Sequence, residues 1–278
     1  MGDRADVARA VDPRLNLAGR YDREVAAGIG RVWENVLDWE HLPALHHGQF
    51  HSIDLLDSGP WGWRASVVNQ PGDVARAQVI EVRIDRDAGR YCSATLEGPG
   101  AGSEIWTTLT PLSADRTAVA VTFHVAEDRP ERLSRIGERY VEVYTGLWDE
   151  DEAMMVHRER ALANRRRPSA ASVEPLNLGP LSALLTTLPR LVEFGGERFR
   201  LLALEGEVIA HAATCPHWLG PLDDAPVEDG CIRCPWHDYR FDIRTGASAD
   251  GRGLTLARAP QVSVDQGDVI LSAPPAVP

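Results

Sequence analysis

Two short segments near the C-terminus, Cys215-Pro216-His217 and Cys234-Pro235-Trp236-His237, each set a thiolate and an imidazole close together. Two such loops facing one another offer two sulfur and two nitrogen ligands to a pair of irons, so this part of the chain must fold into a small unit that joins two loop tips around metal. Pro216 and Pro235 restrict the loops and carry no N–H, which leaves the other backbone amides to donate toward sulfur. A structural zinc site is the competing use of these residues. Cys231-Ile232-Arg233-Cys234 is itself a CxxC pair, and His217 or His237 can complete a tetrahedron, although the CxH half is not a zinc-finger feature. Otherwise Cys231 packs as a small strand residue, and Cys92, which stands alone, reads as buried and inert. Four Cys in 278 residues, three of them clustered with His, fit metal binding in a reducing compartment better than a disulfide scaffold. The cytoplasm is the expected location.

The length favours two compact units over one core. The first twenty residues are rich in Asp and Arg without an apolar stretch, and no run approaches the ~20 apolar residues of a membrane span. Neither export nor membrane insertion is expected. A formal charge of -12 sets the chain against phosphate backbones, so nucleic acid is not an expected partner. Lys is absent, which removes Schiff-base chemistry and a Walker-type phosphate loop.

Periodicity divides the chain in the same way. Tyr21 to Val25 reads as a strand and Ile29 to Leu45 as a helix, with Val32, Trp33, Val36 and Leu37 at helical spacing. Six β-rich stretches follow, Phe50 to Leu56, Trp61 to Asn69, Val74 to Asp85, Arg90 to Glu97, Ser103 to Leu112 and Ala118 to Val125, separated by Gly- and Pro-marked bends. That is an antiparallel meander. From Pro130 to about Arg167 the pattern is one long amphipathic helix. Arg165-Arg166-Arg167-Pro168 and the small residues after it read as a linker over 168–187, leaving 1–167 and 188–278 as domains. The last domain alternates as short strands and is all-β, with the Cys/His loops at its tip.

In the first domain, Asp38-Trp39-Glu40-His41-Leu42-Pro43-Ala44-Leu45-His46 and the acidic run Asp149-Glu150-Asp151-Glu152 hold the parts of a second metal site, two His and one carboxylate. His41 and His46 are five apart and would not align on a regular helix, but Pro43 between them distorts the turn. His47 or His51 can stand in for His46, and Asp149 or Glu152 for Asp151.

The run Cys234 to Asp242 followed by Arg244-Thr245-Gly246 closely resembles the second cluster-binding loop of Rieske proteins. The respiratory branch of that family adds a Cys to each loop; Gly220 and Trp236 stand at those places here, which implies the ferredoxin and oxygenase branch. Asn35-Val36-Leu37-Asp38-Trp39-Glu40-His41, then four residues, then His46, resembles the iron-binding segment of Rieske oxygenase catalytic subunits. A sheet wrapped around a long C-terminal helix is similar to the helix-grip fold of the START and polyketide-cyclase superfamily, which encloses an apolar cavity. The fold expected is thus α+β, an N-terminal helix-grip domain plus a C-terminal all-β Rieske domain, an order reversed from familiar Rieske oxygenases.

Together these resemblances imply an oxygenase. Cys215, His217, Cys234 and His237 would hold a [2Fe-2S] cluster, and His41, His46 and Asp151 a mononuclear Fe(II), with Asn35 and Asp38 as catalytic candidates. Asp38 would bridge the two centres, hydrogen-bonded to His41 and to His237 of a neighbouring copy in a homotrimer. Electrons would come from NAD(P)H through a reductase or ferredoxin, and the substrate would be a small aromatic molecule to be hydroxylated or demethylated. The rival reading is an electron-carrying Rieske ferredoxin fused to an iron-free ligand-binding or cyclase-like domain.

Overall fold

A computed structural model describes residues 10–165 and 174–274. Two compact units, Met1–Glu159 and Arg160–Pro278, make up the chain. In the first, β1 (Asn16–Val25) leads into α1 (Ile29–Leu37), a 3-10 turn (Trp39–His41) and α2 (Leu42–Leu45). The meander follows as β2 (Phe50–Gly59), β3 (Gly62–Asn69), β4 (Gln78–Asp85), β5 (Arg90–Glu97), β6 (Glu104–Ser113) and β7 (Arg116–Val125). All seven strands form one antiparallel sheet in the order β1-β7-β6-β5-β4-β3-β2, so β1 closes onto the last strand and the others pair in sequence.

The helix α3 (Pro130–Arg165) covers the sheet's apolar face. β7 shows why that face exists: Thr117, Val119, Val121, Phe123 and Val125 are buried at every second position, as the two-residue period of a strand requires. Phe123 receives Tyr140 of α3 in a parallel stack, centroids 4.9 Å apart, and Tyr144 edge-on at the same distance. One turn further along, Trp148, Asp151 and Met155 turn inward with helical spacing, completing the face that Tyr140 and Tyr144 begin. This is the antiparallel sheet with a long helix expected of a helix-grip domain.

The helix expected over Ile29 to Leu45 is broken in two places. At Asp38 the backbone leaves the helical region (φ -88, ψ 86), and a 3-10 turn precedes α2. Pro43, which has no N–H for a continuous helix, is accommodated in the first turn of α2, where that donor is unused anyway.

The second unit begins earlier than expected. Of the presumed linker 168–187, the part 168–173 lies outside the described residues, but Leu176–Pro180 is a strand, β8, followed by α4 (Leu181–Leu185). β8 is recruited by a partner from the other end of the unit, β16 (Asp268–Ser272), and β16 also pairs with β15 (Gln261–Asp265). A second sheet joins β9 (Arg190–Phe194), β10 (Glu197–Leu204) and β11 (Glu207–Ala212), and a third joins β12 (Val227–Glu228), β13 (Cys231–Arg233) and β14 (Arg240–Asp242). The Cys/His loops leave β11 and β13. Among the described residues no helix is long and apolar enough to cross a membrane.

α3 meets β1 through two glycines. A Cβ on Gly137 would lie 2.0 Å from the Ala18 carbonyl oxygen, and one on Gly19 would lie 3.1 Å from Gly137 Cα. Ala in place of Gly favours an exposed helix by about 1 kcal/mol, but here the obstacle is backbone and cannot swing away. Gly137→Ala is therefore expected to destabilise the domain by roughly 1–3 kcal/mol, read as a lower urea midpoint at unchanged m-value.

Candidate functional site

The break at Asp38 sets His41 at the end of the 3-10 turn and His46 just past α2, both facing inward with relative exposures of 3% and 1%. Their Nε2 atoms converge on a single carboxylate oxygen. Asp151 Oδ1 lies 3.4 Å from His41 Nε2 and 3.1 Å from His46 Nε2, and it accepts a 2.9 Å hydrogen bond from Asn35 Nδ2. One atom from each of His41, His46 and Asp151 falls within 4.8 Å of the others, close enough to share one ion.

The outer nitrogens of the two rings also face acids. His46 Nδ1 is 2.6 Å from Glu150 Oε2, and His41 Nδ1 is 3.4 Å from Asp38 Oδ2. A carboxylate at Nδ1 holds the proton there and leaves the Nε2 lone pair for a metal, the usual support behind ligating imidazoles. Burial disfavours the His41 cation, yet Asp151 and Asp38 outweigh it and raise His41 to about 9. Burial likewise opposes the Asp151 anion, but His41 and His46 hold it well below the usual carboxylate range. Two imidazoles and a carboxylate buried together fit the donor set of a non-haem ferrous site.

The residues left open by the sequence are sorted by what they touch. His47 and His51 are exposed and Glu152 and Asp149 turn to Arg23, so none of these four joins the cluster. Glu152 also accepts from the Ala26 N–H at 2.7 Å. Glu150 was not singled out from sequence, and its position beside Asp151 was the available signal. Successive helical residues point about 100° apart, so one acid of the run reaches Nε2 while its neighbour reaches Nδ1 of the same ring.

The three residues form the wall of a pocket of about 140 Å³ whose other lining includes Leu42, Trp63, Val82, Tyr91 and Trp148. Burial raises the phenols of Tyr91 and Tyr144 beyond their ordinary range, so both stay neutral. A larger chamber of about 920 Å³ adjoins it, sharing Phe50, Ile80, Ser93, Tyr144 and Leu147.

In the second unit the two Cys/His loops repeat one construction. Cys215 N–H donates to Gly220 O (2.9 Å) and Cys234 N–H to Tyr239 O (2.8 Å), each five residues ahead. The residue four past each Cys, Leu219 (φ 66) and Asp238 (φ 56), turns the chain through the left-handed region. Each Cys thus starts a closed loop with its His inside. Cys215, Cys234 and His237 are buried and His217 half-buried; the two imidazoles lie 4.5 Å apart between centroids, nearly perpendicular. Tyr239 stacks on His217 at 4.3 Å. Hydrogen bonding with Cys215, and less strongly with His237, lowers the Cys234 thiol to about 5 against burial, while the same pairing pushes Cys215 up. Thiolate, the form that binds metal, is accessible here. All four Cys are free; Cys231 lies half-buried on β13, and Cys92 is buried in β5, where burial raises its thiol to about 12. Gly220 is a cradle wall: a Cβ there would fall 2.8 Å from Cys234 Sγ and 3.1 Å from the Trp236 ring.

Residues 177–258 match the Rieske [2Fe-2S] domain family, a segment running from β8 to just before β15 and including both Cys/His loops. Apoptosis-inducing factor 3 of Mus musculus is 36% identical over 84 residues, 30% of this chain and 14% of that protein. The anthranilate 1,2-dioxygenase ferredoxin subunit of Burkholderia cepacia is 33% identical over 70 residues, 25% of this chain and 65% of that protein. The chain thus spans about a seventh of the first relative's length and under two thirds of the second's. Among solved structures, norcoclaurine synthase from Thalictrum flavum in complex with dopamine and hydroxybenzaldehyde superposes with a TM-score of 0.39 at 16% identity, covering 58% of this chain and 96% of that one. The C-terminal unit contains a Rieske domain, and such a domain carries a [2Fe-2S] cluster.

Gly220→Ala is expected to lower cluster loading at least twofold with little change in secondary structure, because the added methyl competes for the space at Cys234 Sγ. Acid-labile sulfide and visible absorption per chain measure it.

Proposed function

We propose that this chain is the terminal component of a Rieske-type oxygenase, taking electrons from an external reductase or ferredoxin, fed by NAD(P)H, and using them with dioxygen to hydroxylate or demethylate an aromatic substrate. The observation that carries the reading is the buried convergence of His41 Nε2 and His46 Nε2 on Asp151 at the wall of an apolar pocket. When bound, the cluster would supply electrons one at a time and the mononuclear iron would activate dioxygen.

The chain's own residues divide the remaining work. Cys215, His217, Cys234 and His237 would hold the cluster, and His41, His46 and Asp151 the ferrous ion. Asn35 donates to Asp151 Oδ1 and so fixes the carboxylate's rotamer. Glu150 lies at Nδ1 of His46 and Asp38 near Nδ1 of His41, positions from which each would orient its ring with Nε2 toward a metal. Trp63, Val82 and Trp148 keep the wall apolar and exclude bulk water from the reacting ring. The working assembly in this reading is a cytoplasmic homotrimer, with Asp38 linking His41 to the cluster of a neighbouring copy.

A second reading, an electron carrier joined to an iron-free ligand-binding domain, is favoured by the dioxygenase ferredoxin subunit among the relatives. Metal content separates the two. An oxygenase is expected to hold about three irons and about two sulfides per chain, and a fused carrier about two irons. In the oxygenase, His41→Ala removes one iron and leaves the visible absorption of the cluster intact; a variant that keeps its full iron sinks the mononuclear site. Asp38→Asn is expected to retain both metals and slow reductant-dependent oxygen uptake by about 10-fold or more, whereas full activity in that variant would remove the bridging role.

A further inference from the structure

We propose that the substrate is bipartite: one oxygen-bearing aromatic ring occupies the inner pocket at His41, His46 and Asp151, and a larger fused- or linked-ring body fills the outer chamber. The first argument is size. An apolar cavity of roughly 150 Å³ takes benzene, so the inner pocket, at about 140 Å³, admits one ring and no more. The outer chamber, at about 920 Å³, lies near the top of the roughly 300–1,000 Å³ range of small-molecule sites. A single-ring substrate would leave that volume to water and the apolar wall formed by Ile105, Val125, Ile136 and Val143 uncovered.

The second argument is the neck. Ser93 and Tyr144 line both spaces, and among the described residues neither hydroxyl has a hydrogen-bond partner. Tyr144 is held in place by its edge-on contact with Phe123, so its O–H is a positioned donor rather than a mobile one. A donor pair set between an apolar pocket and a chamber whose lining mixes apolar residues with Gln78, Glu127, Arg135 and Arg139 selects a ligand with an acceptor oxygen, keto or phenolic, where the reactive ring joins the body. Tyr144 acts here as a positioning residue.

The inference rests on the oxygenase reading for what becomes of the ring, but binding can be measured without turnover. Trp63 and Trp148 on the inner wall report occupancy by fluorescence quenching. The full-length, metal-loaded protein would be titrated anaerobically, without reductant, with 2-hydroxyanthraquinone, anthracene and phenol. 2-Hydroxyanthraquinone is expected to bind at least tenfold more tightly than phenol and severalfold more tightly than anthracene. Tyr144→Phe, which keeps the ring against Phe123, is expected to weaken 2-hydroxyanthraquinone about fivefold and leave anthracene unchanged. Ser93→Val is expected to act in the same direction. Phenol binding as tightly as the three-ring compound, or a Tyr144→Phe protein that binds all three as the wild type does, would overturn the proposal. Iron analysis of the same samples separates the two readings: a missing third iron with the ligand ranking intact removes catalysis alone, and three irons with the ranking lost remove the bipartite substrate alone.

Discussion

One buried carboxylate determines how the first unit is put together. Asp151 is 8% exposed on a helix face otherwise occupied by Trp148 and Met155, and leaving an anion alone there would cost several kcal/mol. His41, His46 and Asn35, all from the broken segment after β1, converge on it. A slide of α3 by one residue would turn Asp151 away by about 100° and bury an apolar neighbour against the imidazoles. The polar contact therefore sets the helix register, while Tyr140 and Tyr144 against Phe123 set which face is presented.

The acidic run on α3 is used in full. Asp151 meets both Nε2 atoms, Glu150 meets Nδ1 of His46, and Asp149 and Glu152 hold Arg23 of β1. A short stretch of like charges that would repel in isolation becomes a joint between helix, sheet and broken turn. The same joint surrounds the pocket with apolar side chains and places its polar groups at one wall and at the neck.

The cluster loops solve a related problem with backbone rather than side chains. Each Cys closes a loop by donating its backbone N–H to the carbonyl of the residue five ahead, and each chain reversal uses a left-handed residue one position before that acceptor. Two copies of one small device hold the Cys and His side chains just past strand ends, the second closed by the Arg233–Arg240 pair of β13 and β14. Both candidate sites draw residues from places where regular elements stop, as loops on rigid scaffolds generally allow, while the first also takes Asp151 from the middle of α3.

Local chemistry was legible from the residues. The alternation in β7, the apolar stripe of α3 and the paired Cys/His segments each depend on neighbours within a few positions, and a period of 2 or 3.6 leaves its mark directly on the chain; the distortion expected at Pro43 falls instead at Asp38. β8 was not legible, because Leu176-Asn177-Leu178-Gly179-Pro180 is short, polar-interrupted and made a strand only by β16 from ninety residues away. The choice of His46 over His47 or His51, and of Asp151 over its acidic neighbours, rested on the resemblance and not on the pattern of the residues themselves. Sequence alone determined that two sets of Cys, His and acidic side chains of particular types are present; the tertiary structure decided which histidine and which acid meet, because adjacent residues differ only in direction, and direction acquires meaning when a helix is docked on a sheet.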